Sequence, residues 1–379
     1  MPQAEGRLSI NQIAELAGVS VATISRVINN RGGYSKKTED AVNRIIREYK
    51  YLPNSYASGL RTNRSHSIGV MVPDITNEFF ARIIRGLDLF FLKYKYALLI
   101  CDSNEDTELE NMHLKNLLMK NIDGMIYISG KNEVLRAEEA GVPVVYVDRS
   151  PKNAQVLVHS DNEYGGFLAG KELLEAGCRR VLFFGDIRKR SPVRRRYAGY
   201  KKAFHEQGAE ACMAEELWSY PDYMSAKTRM CELLGAKGCQ FDGVFTTNDL
   251  MALGTIHALS EFGYRVPQDV KVVGYDNVST AEFCNPPITT VAQNIEALAQ
   301  RAGEELLRMI RGEEIAAEDI CIPVSLEKRE STAGFSKRPK FSEEKDENAE
   351  SSNKNVERKD RTAAIKNGTA EIKNGTAAR

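Results

Sequence analysis

From Leu8 to Asn29 the apolar residues recur at helical intervals. Ile10, Ile13, Ala14 and Ala17 repeat at i, i+3, i+4 and i+7, one face of a 3.6-residue period. Ser9, with Gln12 three residues on, forms a capping box that satisfies amides otherwise orphaned at a helix start. Gly18 lets the chain turn at low steric cost, and Ser20 suits the N-cap of a second helix with Ile24, Val27 and Ile28 inward. Ser35 then opens a third helix, Lys36 to Lys50, with Val42, Ile45, Ile46 and Tyr49 inward. The pattern predicts an all-α head over residues 1–52 whose first two helices form a helix-turn-helix.

Beyond this head, residues 53–67 are polar, carry Gly59 and have little to bury, which predicts a flexible linker. Leu60 is out of place there, an exposed apolar group beside Arg61. At Ser67 the pattern changes. Apolar runs read as strands at Ile68–Pro73, Ala97–Cys101, Gly124–Ile128, Val142–Val147, Val181–Phe184, Gly243–Thr246 and Val270–Gly274. Helical patterns alternate with them at Glu78–Tyr94, Leu109–Lys120, Tyr164–Ala176, Tyr197–Gln207, Lys227–Leu234, Leu250–Phe262 and Ile295–Ile310. Alternating βα units predict parallel sheets covered by helices on both faces. A polar break near Ser160–Glu163 divides them into two lobes over 68–335, with a cleft between. In such sheets ligands sit beyond the carboxyl ends of the strands. The polar residues that matter are therefore Asp74, Asn77, Asp102, Asp148, Arg149, Asp186, Asn248, Asp249 and Asp276.

From 336 to 379 sizeable apolar residues nearly vanish, and a segment repeats at Ile365–Ala370 and Ile372–Ala377. This predicts a disordered tail, more simply an inert extension than a regulatory device.

Charge sharpens the picture of the head. The chain of 379 residues has no net charge, yet residues 1–65 hold ten Lys/Arg against five Asp/Glu. A basic module on a neutral body is the electrostatic footprint of phosphate contacts. Small residues at the start of the second helix would let it approach base edges in a major groove, and Arg26 suits a bidentate pair with guanine. The candidate DNA contacts are Ser9, Val21, Ala22, Thr23, Ser25, Arg26 and Asn29. The plainer alternative is an αα-hairpin that packs internally and touches nothing.

Seven scattered cysteines show no CxxC or zinc-type spacing and suit reduced thiols in a cytoplasmic protein. No signal peptide opens the sequence and no apolar run approaches membrane-spanning length. A secreted solute receptor would share the cleft but not the head. No Walker loop, GxGxxG or Ser/His/Asp spacing points to catalysis. The histidines His66, His113, His159, His205 and His257 form no metal constellation, so no catalytic residue, metal or cofactor is expected.

The motifs VSVATISRVIN, YLPNSYASGL, SIGVMVPDITNEFF, VVYVDR, TNDLMALG, VVGYDN and ITTVAQ, in this order, resemble the lactose-repressor (LacI/GalR) family of bacterial transcription regulators. The resemblance runs from about Leu8 to Phe335. It implies a two-lobed, periplasmic-binding-protein-like effector domain and a homodimer on a pseudo-palindromic operator. It also implies a linker that folds into a hinge helix on DNA. Leu60 matches the leucine that wedges into the minor groove, with Ala57 the small residue allowing close hinge contact. Ser58-Gly59 departs from the family, and glycine weakens a helix by roughly 1 kcal/mol against alanine.

For the effector, the resemblance implies Asn77, Phe79, Phe80, Asp148, Arg149, Arg194, Arg196, Asn248, Asp276 and Gln293, with Glu78 standing where the family has proline. Tyr220 or Trp218 would add an aromatic wall. Aspartates and an asparagine can bond vicinal hydroxyls, arginine forks can bracket them, and aromatic faces can cover a sugar ring. Asp148, Asn248 and Asp276 could instead simply cap helices. The arginines exceed what a neutral sugar requires, which leaves a sugar acid or phosphorylated sugar open, as is a phosphoprotein as the controlling partner.

Overall fold

The computed structural model describes residues 8–51, 64–128, 137–149, 151 and 154–334. Ala57 and Leu60 of the predicted hinge, and the predicted tail, lie outside the described residues.

The head holds α1 (Ile10–Ala17), α2 (Val21–Ile28) and α3 (Lys36–Glu48). Ser9 and Gln12 cap each other as the spacing predicts: the Ser9 amide donates to Gln12 Oε1 at 2.8 Å and the Gln12 amide to Ser9 Oγ at 3.3 Å. Gly18 turns the chain at φ +63°, a left-handed conformation that costs glycine little. Ile13, Ala14, Ile24, Val27 and Val42 form the core. Two expectations need correction. Tyr49 is exposed, and Tyr51, just past the helix end, fills the core instead. Val21 is only half outward, because it packs against that same core.

The first lobe is built on β1 (Ser67–Val72), α4 (Glu78–Leu92), β2 (Ala97–Asp102), α5 (Thr107–Met119), β3 (Gly124–Tyr127), β4 (Val144–Val147) and β5 (Val156–Ser160). The second takes α6 (Asn162–Glu175), β6 (Val181–Asp186), α7 (Ser191–Glu206), β7 (Met213–Ser219), α8 (Tyr223–Lys237), β8 (Gly243–Thr246), α9 (Asp249–Glu261), β9 (Lys271–Asp276), α10 (Ser279–Phe283) and β10 (Thr289–Gln293). The chain then returns α11 (Ile295–Ile310) and β11 (Glu318–Ile322) to the first lobe and ends with β12 (Val324–Glu327) in the second.

The first sheet runs β11-β5-β4-β3-β1-β2 and is wholly parallel. The second runs β12-β10-β9-β8-β6-β7, parallel except for the antiparallel edge strand β12. Alternate residues of each central strand feed opposite cores, as the two-residue period of a strand requires. Ile68, Val70 and Val72 face one core and Met71 the other, while Val181 and Phe183 oppose Leu182 and Phe184. The chain passes between lobes three times: after Ser160, between Gln293 and Ile295, and at Pro323. The end of the predicted linker is already part of the first lobe. The Ser65 amide donates to Asp123 Oδ1 at 2.7 Å, and Arg64 Nη2 donates to the Ile310 carbonyl at 2.6 Å.

Five strands escape the sequence pattern: β5, β7, β10, β11 and β12. Strands β7, β11 and β12 lie at sheet edges and expose much of their length. β10 is central but opens with Thr289 and Thr290, buried with their hydroxyls bonded, so it reads as polar. Helix α7 starts at Ser191, six residues before the apolar pattern suggests, because Pro192 and three arginines occupy its first turns. Among the described residues, no helix is long and apolar enough to cross a membrane.

Candidate functional site

The strand order turns back at β1/β3 and at β6/β8, and at such switch points the loops beyond the strand ends separate to leave a crevice. A cleft of about 340 Å³ opens there between the lobes. The loops beyond β1, β2 and β4 line one wall with Asp74, Asn77, Glu105, Asp148 and Arg149. The other wall is lined by Asp186, Arg188, Arg190, Arg196, Tyr220, Asn248 and Asp276 from the second lobe.

Arg196 is the centre of the second wall. It lies one turn and a half into α7 and is buried, with its guanidinium over the Tyr275 ring at 3.6 Å. Its Nε donates to Asn162 Oδ1 at 2.8 Å and Nη1 to the Thr247 carbonyl at 2.5 Å, while Nη2 stands 3.7 Å from Asp276. Gln293 does not line the cleft itself; its Nε2 donates to Asp276 Oδ1 at 2.6 Å and orients that carboxylate. Asp148 and Asp276 both sit at positive φ, +65° and +103°, where the chain breaks sharply from the strand. Neither caps a helix. Asn248 does, its Oδ1 accepting from the Met251 amide at 2.8 Å while Nδ2 donates to the Pro221 carbonyl. Asn77 caps α4 in the same way. Phe79 and Phe80 line the cleft but are almost fully buried, so they leave little open ring face to it.

Several of the expected residues stand elsewhere. Arg194 is exposed, and its Nη1 donates to the Lys189 carbonyl at 2.8 Å. It cannot join the site, because the helical twist that buries Arg196 turns a residue two positions earlier to the opposite side. Trp218 packs on Phe183 and Tyr197 within the second lobe, with Lys189 over its ring. Tyr220 does line the cleft, largely exposed. Sequence reasoning missed Glu105, Arg188 and Arg190. The two arginines lie two and four positions beyond Asp186, so the strand-end rule that singled out Asp186 could have reached them by extending four positions further.

These residues change the charge balance. Glu105 takes Arg149 at 2.7 Å, Arg188 at 2.8 Å and Arg190 at 3.0 Å. Arg188 also forks onto Asp186, with its Nε and Nη2 at 2.8–3.0 Å from the carboxylate. Burial opposes ionisation of Glu105, but the three arginines outweigh it and hold its carboxyl at about 2. The positive surplus expected from the sequence is therefore spent on acids of the protein itself.

Glu78, the departure from the family's proline, also ties the lobes together. Its carboxylate accepts from the Ser279 amide at 2.9 Å and hydroxyl at 2.5 Å across the cleft mouth. Arg82 Nη1 donates to the Asn277 carbonyl beside it at 3.0 Å.

Asp249, read from the sequence as a cleft residue, is instead fully inside the second lobe. It accepts from Thr290 Oγ1 at 2.6 Å and from the Val278 amide at 2.9 Å. Burial, with Asp276 adding to it, pushes its carboxyl up to about 8, and burial lifts Asp276 to about 6. Both values lie above the ordinary 3.8. Their contribution to stability is thus present at low pH and lost as pH rises through 6 and then 8. Asp249→Asn, neutral throughout, should gain stability relative to the parent between about pH 5 and about pH 8 in urea denaturation; an unchanged difference would contradict this assignment.

In the head, Ala22, Arg26 and Asn29 are exposed and Val21, Thr23 and Ser25 half-buried along α2. Thr23 Oγ1 shares a hydrogen bond with Ser20, and Asn29 Nδ2 donates to the Ser25 carbonyl at 2.7 Å.

A three-helix head of this kind, followed by a two-lobed α/β domain with a polar cleft at its switch points, defines a ligand-responsive regulator with a helix-turn-helix. Residues 9–54 match the family described as bacterial regulatory proteins, lacI family, and residues 171–332 match a periplasmic binding protein-like domain. The chain belongs to the lacI family of transcription regulators and is not an enzyme. It is 32% identical over 326 residues to the ribose operon repressor of Halalkalibacterium halodurans, covering 86% of this chain and 97% of that protein. It is also 32% identical over 311 residues to the HTH-type transcriptional repressor PurR of Vibrio atlanticus, covering 80% and 92%. The structure of the lac repressor dimer bound to operator and the anti-inducer ONPF matches with a TM-score of 0.78 at 26% identity, over 87% of this chain and 100% of that one. A LacI family regulator from Enterococcus faecium with bound ribose matches with a TM-score of 0.64 at 29% identity, over 71% and 99%.

Proposed function

We propose that this chain is a cytoplasmic, homodimeric repressor of carbohydrate genes that binds a pseudo-palindromic operator and answers to a hydroxyl-rich small molecule in the interlobe cleft. The observation that carries the effector reading is the cleft's pairing of buried carboxylates with Arg196 and Gln293. Asp148 Oδ1 is buried with no hydrogen-bond partner among the described residues, and a carboxylate oxygen so placed accepts from a ligand hydroxyl. The ribose-bound relative and the ribose operon repressor support a sugar as that ligand.

For DNA, the exposed start of α2 reads bases through Ala22, Ser25 and Arg26, with Ser9 and Asn29 at its flanks and Val21 and Thr23 partly committed to the head's own packing. Closure of the cleft changes the spacing of the two hinge segments and so shifts the DNA-bound population. Such couplings are of order 1–3 kcal/mol.

Titrating operator-bound protein with sugars, sugar acids and sugar phosphates tests the whole reading. Release or tightening by one class supports it, and indifference of a specific operator complex to all of them removes the carbohydrate effector. The hinge is tested separately. Leu60→Ala should weaken operator binding by about 2 kcal/mol or more, on the order of an unstacked base step, and leave effector affinity intact. Equal operator affinity would show that Leu60 is no wedge.

A further inference from the structure

We propose that Glu105 is a built-in counter-anion that occupies an anion pocket of Arg149, Arg188 and Arg190 and thereby restricts the cleft to uncharged polyhydroxy ligands. This deepens the carbohydrate reading above and rests on it for the identity of the ligand, though not for the pocket itself.

The geometry is that of a bound carboxylate. One oxygen of Glu105 meets Arg149 at 2.7 Å and Arg188 at 2.8 Å, and the other meets Arg190 at 3.0 Å. Arg149 comes from the first lobe and the other two from the second, so Glu105 spans the cleft in the position an acidic ligand group would take. Charge-assisted bonds of this kind are about twice as strong as neutral ones. The loop that presents Glu105 is set for the purpose. Asn104 and Glu105 are both left-handed, at φ +46° and +54°, a conformation uncommon outside glycine. They are held there by the Asn104 amide on Asp102 Oδ1 and the Glu105 amide on Ser103 Oγ, with Ser103 itself bonded to the Val72 carbonyl. Asp106 then caps α5, which fixes the far side of the loop.

The remaining cleft charges are weighted toward acids. Arg188 is also forked onto Asp186, Arg196 faces Asp276, and Asp74, Asp148 and Asp222 add further negative charge. An acidic ligand would therefore have to evict Glu105 and then sit among uncompensated carboxylates, whereas a neutral polyol meets acceptors and donors already in place.

Inorganic phosphate is the probe that separates this proposal from the identity of the effector. In isothermal titration of the full-length dimer, Glu105→Gln should bind inorganic phosphate about tenfold or more tightly than the parent. Adding Arg188→Met and Arg190→Met to that variant should erase the gain. Should Glu105→Gln fail to fold, Glu105→Ala gives the same test, since it frees the arginines equally. The proposal is overturned if the parent binds phosphate as well as the variant, or if the gain survives loss of both arginines. With a matched neutral sugar and its aldonic acid, the parent should take only the sugar, and Glu105→Gln should admit the acid. Preference of the parent for the acid likewise overturns the proposal. Phosphate gained by the variant while no sugar binds either protein upholds the anion pocket and rejects the carbohydrate reading.

Discussion

Arg196→Ala should destabilise the second lobe by about 3–5 kcal/mol, the usual cost of removing one partner from a buried ion pair. It should also abolish the response of operator binding to effector. The arginine donates to Asn162 and to the Thr247 carbonyl, pairs in charge with Asp276 at 3.7 Å, and lays its guanidinium over the Tyr275 ring. Alanine leaves all three partners buried without it. Arg196→Lys keeps the charge but cannot reproduce a planar fork that donates to two acceptors while facing a carboxylate, so it should recover part of the stability and little of the response. Urea denaturation and effector titration of the operator complex measure the two effects. A variant within about 1 kcal/mol of the parent would mean that the network is dispensable.

Gly199→Ala should be nearly as damaging although it touches no ligand. Helices α6 and α7 cross so closely that a Cβ on Gly199 would overlap the Glu163 carbonyl, and one on Gly166 would overlap the Arg196 carbonyl. The helices must separate to admit either atom, at a cost of about 3 kcal/mol or more, the upper range for overpacking. That separation also draws Asn162 away from Arg196, since the two residues lie on the two helices. Gly235→Ala on α8 is the matching control. An added Cβ there makes only ordinary contact with Phe262, so helix propensity should raise stability by up to about 1 kcal/mol. Comparable losses at both glycines would refute the close-crossing argument.

Legibility in the sequence followed burial. Strands buried on both faces, such as SIGVMV and VVYV, carry unbroken apolar runs and declare themselves. Three of the four edge strands do not, because one side is solvated and the alternation dissolves into polar residues, as in MAEELWS; the fourth, β2, shows in its apolar run ALLIC, and the buried β5 escapes despite its burial. The rule that ligands sit at strand ends picks out Asp148, Arg149, Asn248 and Asp276 from local sequence alone, and the fold gathers all four along the cleft. It placed Asp249 wrongly, since an acid at the start of a helix looks the same whether it faces a cleft or anchors Val278 and Thr290 inside a core. The rule also overcounted free positive charge. Arginines announce themselves in a sequence, but the glutamate that neutralises them lies some 44 to 85 positions away, and only the closed fold brings the two together. Arg194 against Arg196 is a matter of helical phase, and the true start of α7 at Ser191 was hidden by Pro192.

The threefold passage of the chain between lobes has a consequence for biosynthesis. The body of the second lobe, from Asn162 to Gln293, is continuous in sequence, whereas the first needs α11 and β11 from near the end to cover its core and complete its sheet. As the polypeptide leaves the ribosome, the amino-terminal lobe must therefore wait, with the apolar surface destined for α11 still uncovered, while the later-made one can already consolidate. The order of maturation runs against the order of translation, and the interval until Ile322 emerges is when the nascent protein most needs chaperone cover.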